Sequence, residues 1–232
     1  MKQFSRESIS EVKNYLLEIS LFADLNETSL QILAHDSKFK QVKKEQFIFL
    51  QSDPSETVYI VRSGIISIIL ESSDGRKLVI NEVRTGEFFG EVGVLTNQPR
   101  STSAIARRDS ELLVIPLQIF LRILDTEPIL VRRMLEITAN RLRSSSERES
   151  ALAFLDAQAR LARLLLQLEQ HAEKGYITIS QEEMAQHTGQ TRQTVAKALG
   201  RWRRAGWLLT GRGHIMLLKH ESLANLFQEW IV

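Results

Sequence analysis

The sequence predicts an α+β chain in three parts: an N-terminal β-roll of the jelly-roll kind over residues 1–127, a long connecting helix and hinge over 128–156, and a winged helix-turn-helix over 157–232. Three observations predict this. Between Phe47 and Ile115, short β-branched runs alternate with Asp-Pro, Ser-Gly, Asp-Gly and Thr-Gly punctuation, the spacing of antiparallel strands in a small barrel or jelly roll. From Pro128 to Asp156 no further Gly or Pro interrupts the chain, so a helix can run for about 40 Å at roughly 1.5 Å per residue. Further on, a capping signal at Ser180 and a turn at Gly189 separate two short helical patterns, the plan of a helix-turn-helix.

A length of 232 residues suits one large or two modest domains. The chain is 43% hydrophobic and 25% charged, as in an ordinary globular protein. No apolar run approaches the roughly 20 residues of a membrane span, and the first residues are too charged for a secretory signal. A cytoplasmic protein without a membrane partner is expected. The chain has no cysteine, which excludes disulfides, cysteine nucleophiles and cysteine-held clusters. Its histidines, His35, His171, His187, His214 and His220, are scattered, and none falls between Phe47 and Ile115. A metal-dependent jelly-roll enzyme, the remote alternative this fold class raises, therefore lacks its usual ligands. No catalytic residue, metal site or cofactor is expected.

The elements follow in order. Ile9, Val12, Leu16 and Ile19 repeat at helical spacing. A second helix carries Leu30, Ile32 and Leu33, with Asn26 or Thr28 as its cap. Phe47–Leu50, Val58–Val61, Ile65–Leu70 and Leu78–Ile80 read as strands. Asp74-Gly75 predicts a two-residue hairpin in which both positions favour positive φ. Ser110–Ile115 adds a strand closed by Pro116. Glu127-Pro128 opens the long helix. Its apolar positions, among them Ile129, Val131, Leu135, Leu142, Leu152 and Phe154, suit a seam that a second copy of the chain would bury, so a homodimer is expected. The polar run Ser144–Ser150 interrupts this seam, either as an exposed face or as hydroxyls placed where a polar ligand lies.

The remainder carries an output. Leu161, Leu164, Leu165, Leu166 and Leu168 mark a core-facing helix, and Tyr176–Ile179 alternates like a short strand. Ser180 and Glu183 form a capping box. Ala185 is small where two helices cross, and Val195 and Leu199 face inward at i, i+4. Residues 157–232 hold 10 Lys/Arg against 6 Asp/Glu, and Arg192–Arg212 holds six basic residues and no acid. A one-sided basic block of this kind suits double-stranded DNA. The second helix of the pair would lie in the major groove. Arg192, Gln193 and Lys197 are the candidate base readers, with Lys197 equally suited to a phosphate. Ser180, Thr191 and Thr194 are candidate phosphate contacts, and Arg212 at the tip of the hairpin wing is another. Glu221–Ile231 predicts a terminal helix that packs Leu223, Leu226, Phe227 and Trp230.

The stretch Gly90–Ala104 organises the rest. Glu91 can accept hydrogen bonds from a sugar hydroxyl, and Arg100 can fork onto phosphate oxygens. Ser101 and nearby backbone N–H groups can complete an anion nest. The short helical segment from Val92 can present its N-terminus to the anion. Small residues, including Gly90 and Gly93, allow close approach of the backbone. For Glu91 and Arg100 taken alone, a simple surface ion pair is the competing reading.

Gly90-Glu91-Val92-Gly93-Val94-Leu95, followed by Arg100-Ser101 and Ala104, resembles the phosphate-binding cassette of cyclic-nucleotide-binding domains. The resemblance implies that Glu91 binds a ribose 2′-hydroxyl, that Arg100 and Ser101 bind a cyclic phosphate, and that Gly90 contributes backbone. The order of β-roll, long helix and helix-turn-helix resembles the Crp/Fnr superfamily of bacterial transcription regulators, and within it the branch that responds to cyclic AMP. By position, that implies Ser145 and Ser146 facing the purine, one from the opposite subunit, and Arg141 near Glu91. Cyclic AMP is the implied effector; cyclic GMP, cyclic di-GMP, another effector or none are the alternatives. The family's best-known readers are Arg, Glu and Arg, where this chain has Arg192, Gln193 and Lys197, so its target sequence is not implied. RNA polymerase is a further implied partner, through a loop before the helix-turn-helix. The corresponding connection here, His171–Gly175, is short.

Overall fold

The computed structural model describes residues 6–170, 172, 175–211 and 214–227. They form two compact units, one of residues up to 70 together with 80–142, the other of 71–79 together with those from 143 onward. Among the described residues, no helix is long and apolar enough to cross a membrane, and no cluster of three or more His, Asp or Glu side chains could hold a metal ion.

The first unit opens with α1 (Arg6–Glu18) and α2 (Glu27–Asp36). Asn26 caps α2: its side-chain oxygen accepts the Ser29 N–H at 2.8 Å, while Thr28 lies inside the helix. Eight strands follow: β1 (Lys38–Val42), β2 (Phe47–Phe49), β3 (Thr57–Ser63), β4 (Ile66–Glu71), β5 (Lys77–Val83), β6 (Phe88–Phe89), β7 (Ser103–Ala106) and β8 (Ser110–Pro116). They form two four-stranded sheets, ordered β1-β8-β3-β6 and β2-β7-β4-β5. In the first sheet Val58 pairs with Ile115, Tyr59 with Val114, Ile60 with Leu113 and Val61 with Leu112. Successive side chains point to opposite faces. Val58, Ile60, Leu113 and Ile115 therefore pack with Leu16, Phe22, Leu33 and Phe120 of the helical layer. Tyr59, Val61, Leu112 and Val114 pack inside the roll with Phe49, Ile66, Val83, Phe89 and Ala104. With both faces buried, these strands read as continuous apolar runs.

The structure departs from the sequence reading in four places up to the end of the long helix. β1, β6 and β7 are additional strands. A helix, α4 (Leu117–Thr126), follows β8, and Pro116 ends the strand as that helix's N-cap. The turn after β4 has a three-residue loop: the Gly75 N–H donates to Ser72 O and the Ser72 N–H to Arg76 O, both at 2.9 Å. Only Gly75 there has positive φ, at 80°, and the Asp74 carboxylate instead accepts from Ser72 and Arg76. The long helix, α5 (Pro128–Phe154), stops short of Asp156 because Asp156 caps the next helix, accepting the Ala159 N–H at 2.8 Å. At its other end, buried Glu127 accepts from the Asn26 backbone N–H and side-chain amide, tying α2 to the start of α5.

The second unit contains α6 (Ala157–Glu169), β9 (Ile177–Thr178), α7 (Gln181–Thr188), α8 (Arg192–Arg204), β10 (Leu208–Thr210), β11 (His214–Leu217) and α9 (His220–Ala224). Its strands form one sheet ordered β10-β11-β9. Leu161, Leu165, Met184, Ala185, Val195, Leu199, Trp202 and Leu208 share its core. The Ser180–Glu183 capping box is formed in both directions, at 2.7 and 3.1 Å. Gly189, at φ 64°, supplies the turn into α8. The terminal helix ends at Ala224, earlier than its apolar pattern predicts, and a turn continues to Phe227. Leu223, Leu226 and Phe227 pack on the core. Trp230, wing-tip Arg212, and His171, Glu173 and Lys174 of the connection lie outside the described residues.

Candidate effector site and nucleic-acid interface

The cassette is built at the end of β6. Gly90 adopts a left-handed conformation (φ 82°, ψ 8°) and caps α3 (Glu91–Thr96). A Cβ at Gly90 would stand 2.8 Å from Arg100 Nη1, so the glycine is required both by its φ and by the guanidinium beside it. Gly93 serves packing rather than ligand approach: a Cβ there would meet Ser55 and the Gln98 carbonyl, the latter at 2.6 Å. Asn97, also left-handed, ends α3. Two backbone hydrogen bonds then lace Arg100 to the loop after β2, from Arg100 N–H to Asp53 O and from Ser52 N–H to Arg100 O, each 2.9 Å.

Glu91 and Arg100 are both buried, at 6% and 4% exposure, and they do not pair with each other. Glu91 accepts from Arg141 Nη1 at 2.8 Å, and Arg141 also donates to Phe88 O at 2.5 Å with its guanidinium over the Phe88 ring. Arg141 thus holds the carboxylate in position from α5. Arg100 instead donates to carbonyls: Nη1 to Gly90 O at 2.5 Å and Nη2 to Thr57 O at 2.7 Å and Thr57 Oγ1 at 3.1 Å. Its guanidinium lies 4.2 Å over the Phe49 ring, and Phe49, Tyr59 and Phe89 form one aromatic floor. Buried Arg100 Nε–H has no acceptor among the described residues. Burial lowers the pKa of Arg100; the Tyr59 hydroxyl and the Asp53 and Glu91 carboxylates offset part of that effect. A buried guanidinium with a spare N–H and, among the described residues, no carboxylate at ion-pair distance can take an anion.

The other cassette residues surround this point. Ser101 is exposed and makes no hydrogen bond among the described residues. Val92, the second residue of α3, is exposed. The structure brings Gly90, Glu91, Arg100 and Arg141 together. Sequence reasoning missed Thr57, Phe49 and Tyr59, which support Arg100 from other strands; nothing in their spacing reveals a cross-strand contact. Ser145 and Ser146 lie on α5 beyond the first unit. Ser145 is half-buried, with its hydroxyl 3.5 Å from Glu149 Oε1, and Ser146 is exposed. Along α5, Val131, Leu135 and Leu142 fall within one narrow face by helical period, and all three are exposed, the two leucines at 68%.

In the second unit, Val195, Ala198, Leu199 and Trp202 bury one side of α8. Thr191, Arg192, Gln193, Thr194, Lys197 and Arg204 are all exposed. Thr191 is the N-cap: its hydroxyl oxygen accepts the Thr194 N–H at 3.2 Å and lies 2.9 Å from the Thr194 hydroxyl. Ser180 caps α7 in the same way, beside Glu182 and Glu183. Those acids already offset the helix dipole, so the Ser180 hydroxyl is a weaker anion donor than Thr191. Arg192 lines a cleft of about 320 Å³ with Ser180, Thr210 and His214, at the wing-side edge of the α8 surface.

Two family models match the chain. The cyclic nucleotide-binding domain covers residues 39–127 and the Crp-like helix-turn-helix domain residues 159–226. A CRP-like cAMP-activated global transcriptional regulator of Mycobacterium tuberculosis is 26% identical over 217 residues, covering 90% of this chain and 97% of that protein. The cAMP-activated global transcriptional regulator CRP of Salmonella typhimurium is 29% identical over 174 residues, covering 72% and 82%. Among solved structures, the c-di-GMP responsive global regulator CLP of Xanthomonas campestris superposes with a TM-score of 0.75 at 25% identity, covering 83% of this chain and 99% of that one. With its β-rich nucleotide-binding unit, long helix and Crp-like helix-turn-helix, the chain belongs to the Crp/Fnr family of DNA-binding transcription regulators.

Proposed function

We propose that the chain is a homodimeric, cytoplasmic regulator whose DNA affinity is set by cyclic AMP, with its sensor in residues 1–127, its dimer helix and hinge in 128–156 and its reader in 157–232. The carrying observation is Arg100, buried, without a carboxylate at ion-pair distance and with a spare Nε–H. In this reading the cyclic phosphate takes the Arg100 and Ser101 donors, and the ribose 2′-hydroxyl binds Glu91, held in place by Arg141. Gly90 and Val92 offer backbone N–H groups. Ser145 and Ser146 are assigned to the purine from their place in the family pattern. The exposed Val131, Leu135 and Leu142 stripe is covered by the same stripe of a second copy. Arg192, Gln193 and Lys197 read the major groove, while Thr191, Thr194, Ser180 and Arg212 contact phosphates. Two relatives named for activation by cAMP favour the adenine nucleotide.

Calorimetric titration with cyclic AMP tests this, followed by competition with cyclic GMP and cyclic di-GMP and by selection of bound DNA from a random pool with and without nucleotide. Saturable heat with cyclic AMP and a nucleotide-dependent gain in DNA affinity are expected. Tighter binding of another nucleotide moves the effector assignment. No heat and no thermal shift with any of them removes the sensor reading and leaves a DNA-binding family member without this effector.

A further inference from the structure

The joint between α5 and α6 is short, and polar side chains tie it to the helix-turn-helix. Only Leu155 and Asp156 separate the two helices. From α6, Arg160 Nη1 donates to Leu155 O at 2.7 Å, and its Nε donates to Thr188 O, at the end of α7, at 3.0 Å. One guanidinium thus donates to carbonyls at two helix C-terminal ends, where the helix dipoles favour a cation. From the turn between α7 and α8, Gln190 Nε2 donates to Ala157 O in the first turn of α6 at 2.7 Å. From α8, Arg201 Nη1 donates to Gln158 Oε1 at 3.0 Å. Beside these, Gly189 lies near Leu152 of α5: a Cβ there would stand 3.5 Å from Leu152 Cδ2, an ordinary van der Waals contact. The apolar core of this unit joins α6, α7 and α8, but Leu155 O at the end of α5 is held by Arg160.

We propose that Arg160 and Gln190 are positioning residues for DNA reading: they lock the α5 end and the first turn of α6 to the helix-turn-helix, so that α5 sets the direction of α8. In a dimer joined along α5, that direction fixes the separation of two reading helices and hence the half-site spacing on DNA. The inference rests on the dimeric reading given above. It assigns a role to polar side chains outside the effector and DNA contacts proposed above.

The experiment measures full-length wild type, Arg160→Ala, Arg160→Lys and Gln190→Leu on one palindromic operator, selected with the wild type, and on the same half-sites moved apart or together by one and two base pairs. Each is measured with and without cyclic AMP, beside a single half-site and random DNA. For Arg160→Ala, the preference for the best spacing over its neighbours should fall by about tenfold, the factor that 1.4 kcal/mol represents. Single half-site affinity, random-DNA affinity and nucleotide affinity should stay near wild type. Arg160→Lys, with one ammonium for two divergent carbonyls, should restore only part of the preference. Gln190→Leu should show the same pattern more weakly, and it serves as the test if Arg160→Ala does not fold. Equal loss on all DNAs, with the spacing preference intact, overturns the proposal and leaves these residues as ordinary stabilisers. A wild type without any spacing preference overturns it together with the dimer reading. A wild type that prefers one spacing but ignores nucleotide refutes the effector reading alone, and the variants then decide the positioning role without ligand.

Discussion

Arg100→Leu separates two consequences that are usually mixed. The substitution removes three hydrogen bonds, to Gly90 O, Thr57 O and Thr57 Oγ1, and deprives two half-buried carbonyls of that donor at a cost of up to about 1–3 kcal/mol each. It also removes a charge that is 4% exposed and has no carboxylate at ion-pair distance among the described residues, whose desolvation costs several kcal/mol in its own right. The two effects oppose, so the unliganded variant should unfold in denaturant within about 2 kcal/mol of wild type. Ligand affinity has no such compensation. Losing a charge-assisted contact to the anion should cost about 2–5 kcal/mol, a rise in Kd between about 30-fold and a few thousand-fold. Calorimetry with cyclic AMP reads this directly. Denaturation reads it a second way, since nucleotide at a hundred times the wild-type Kd should stabilise the wild type by about 2.7 kcal/mol and the variant by at most about 0.9 kcal/mol, the figure for a 30-fold rise in Kd. A variant Kd within about threefold of wild type, or an unliganded variant destabilised by more than about 4 kcal/mol, would refute the reasoning. The first result would mean that another group holds the anion, the second that Arg100 is mainly a structural plug.

Three other outcomes follow from the geometry. Arg192→Ala should cost about 1–3 kcal/mol on the selected operator and relax one base position, whereas Lys197→Ala, if it contacts phosphate, should lower the log–log salt slope by about 0.9 on every sequence; fluorescence anisotropy at several salt concentrations distinguishes them. Leu135→Glu and Leu142→Glu place charges on the exposed α5 stripe and should shift sedimentation to the monomer while leaving the helical content unchanged; a variant that remains dimeric places the interface elsewhere. Tyr15, whose hydroxyl donates to Val61 O at 2.9 Å, has its pKa raised by burial to about 12. The folded form keeps its proton where the unfolded chain loses it, so this contribution is complete below about pH 10 and is lost as pH rises through 12. Tyr15→Phe should cost about 1 kcal/mol at neutral pH and lose less stability than wild type between pH 10 and 12, as read by denaturation at each pH.

The strands that the sequence reveals are those whose burial is extreme. Val58–Val61 and Leu112–Ile115 face the helical layer and the roll interior alternately, so nearly every residue is apolar and the runs stand out. Lys38–Val42 has only one fully buried residue, Val42, and its lysines and glutamine hide the strand. Ser103–Ala106 fills the interior with Ala104 and Ala106, small residues with little β-propensity. The helix Leu117–Thr126 was legible in principle, since Phe120 and Ile123 face the core at i, i+3. Pro116 conceals it, because a proline that ends a strand can equally well precede a helix.

The candidate site divides along a different line. Gly90, Glu91 and Arg100 are close in sequence, and their residue types alone suggest a carboxylate and a cation around an anion. What the chain order hides is that these two charges do not neutralise each other. Glu91 is matched by Arg141, fifty positions later, and Arg100 by carbonyls and an aromatic floor drawn from β2, β3 and β6. Had Glu91 and Arg100 paired, an incoming phosphate would have had to break an ion pair before gaining one. Because Arg141 holds the Glu91 carboxylate, the guanidinium of Arg100 is left out of an ion pair with it and, in the proposed function, is available to a phosphate, while its carbonyl contacts fix its place. The energetic logic of the cassette therefore lies in a contact with α5, and a change at Arg141 should weaken phosphate binding indirectly, by freeing Glu91 to compete for Arg100.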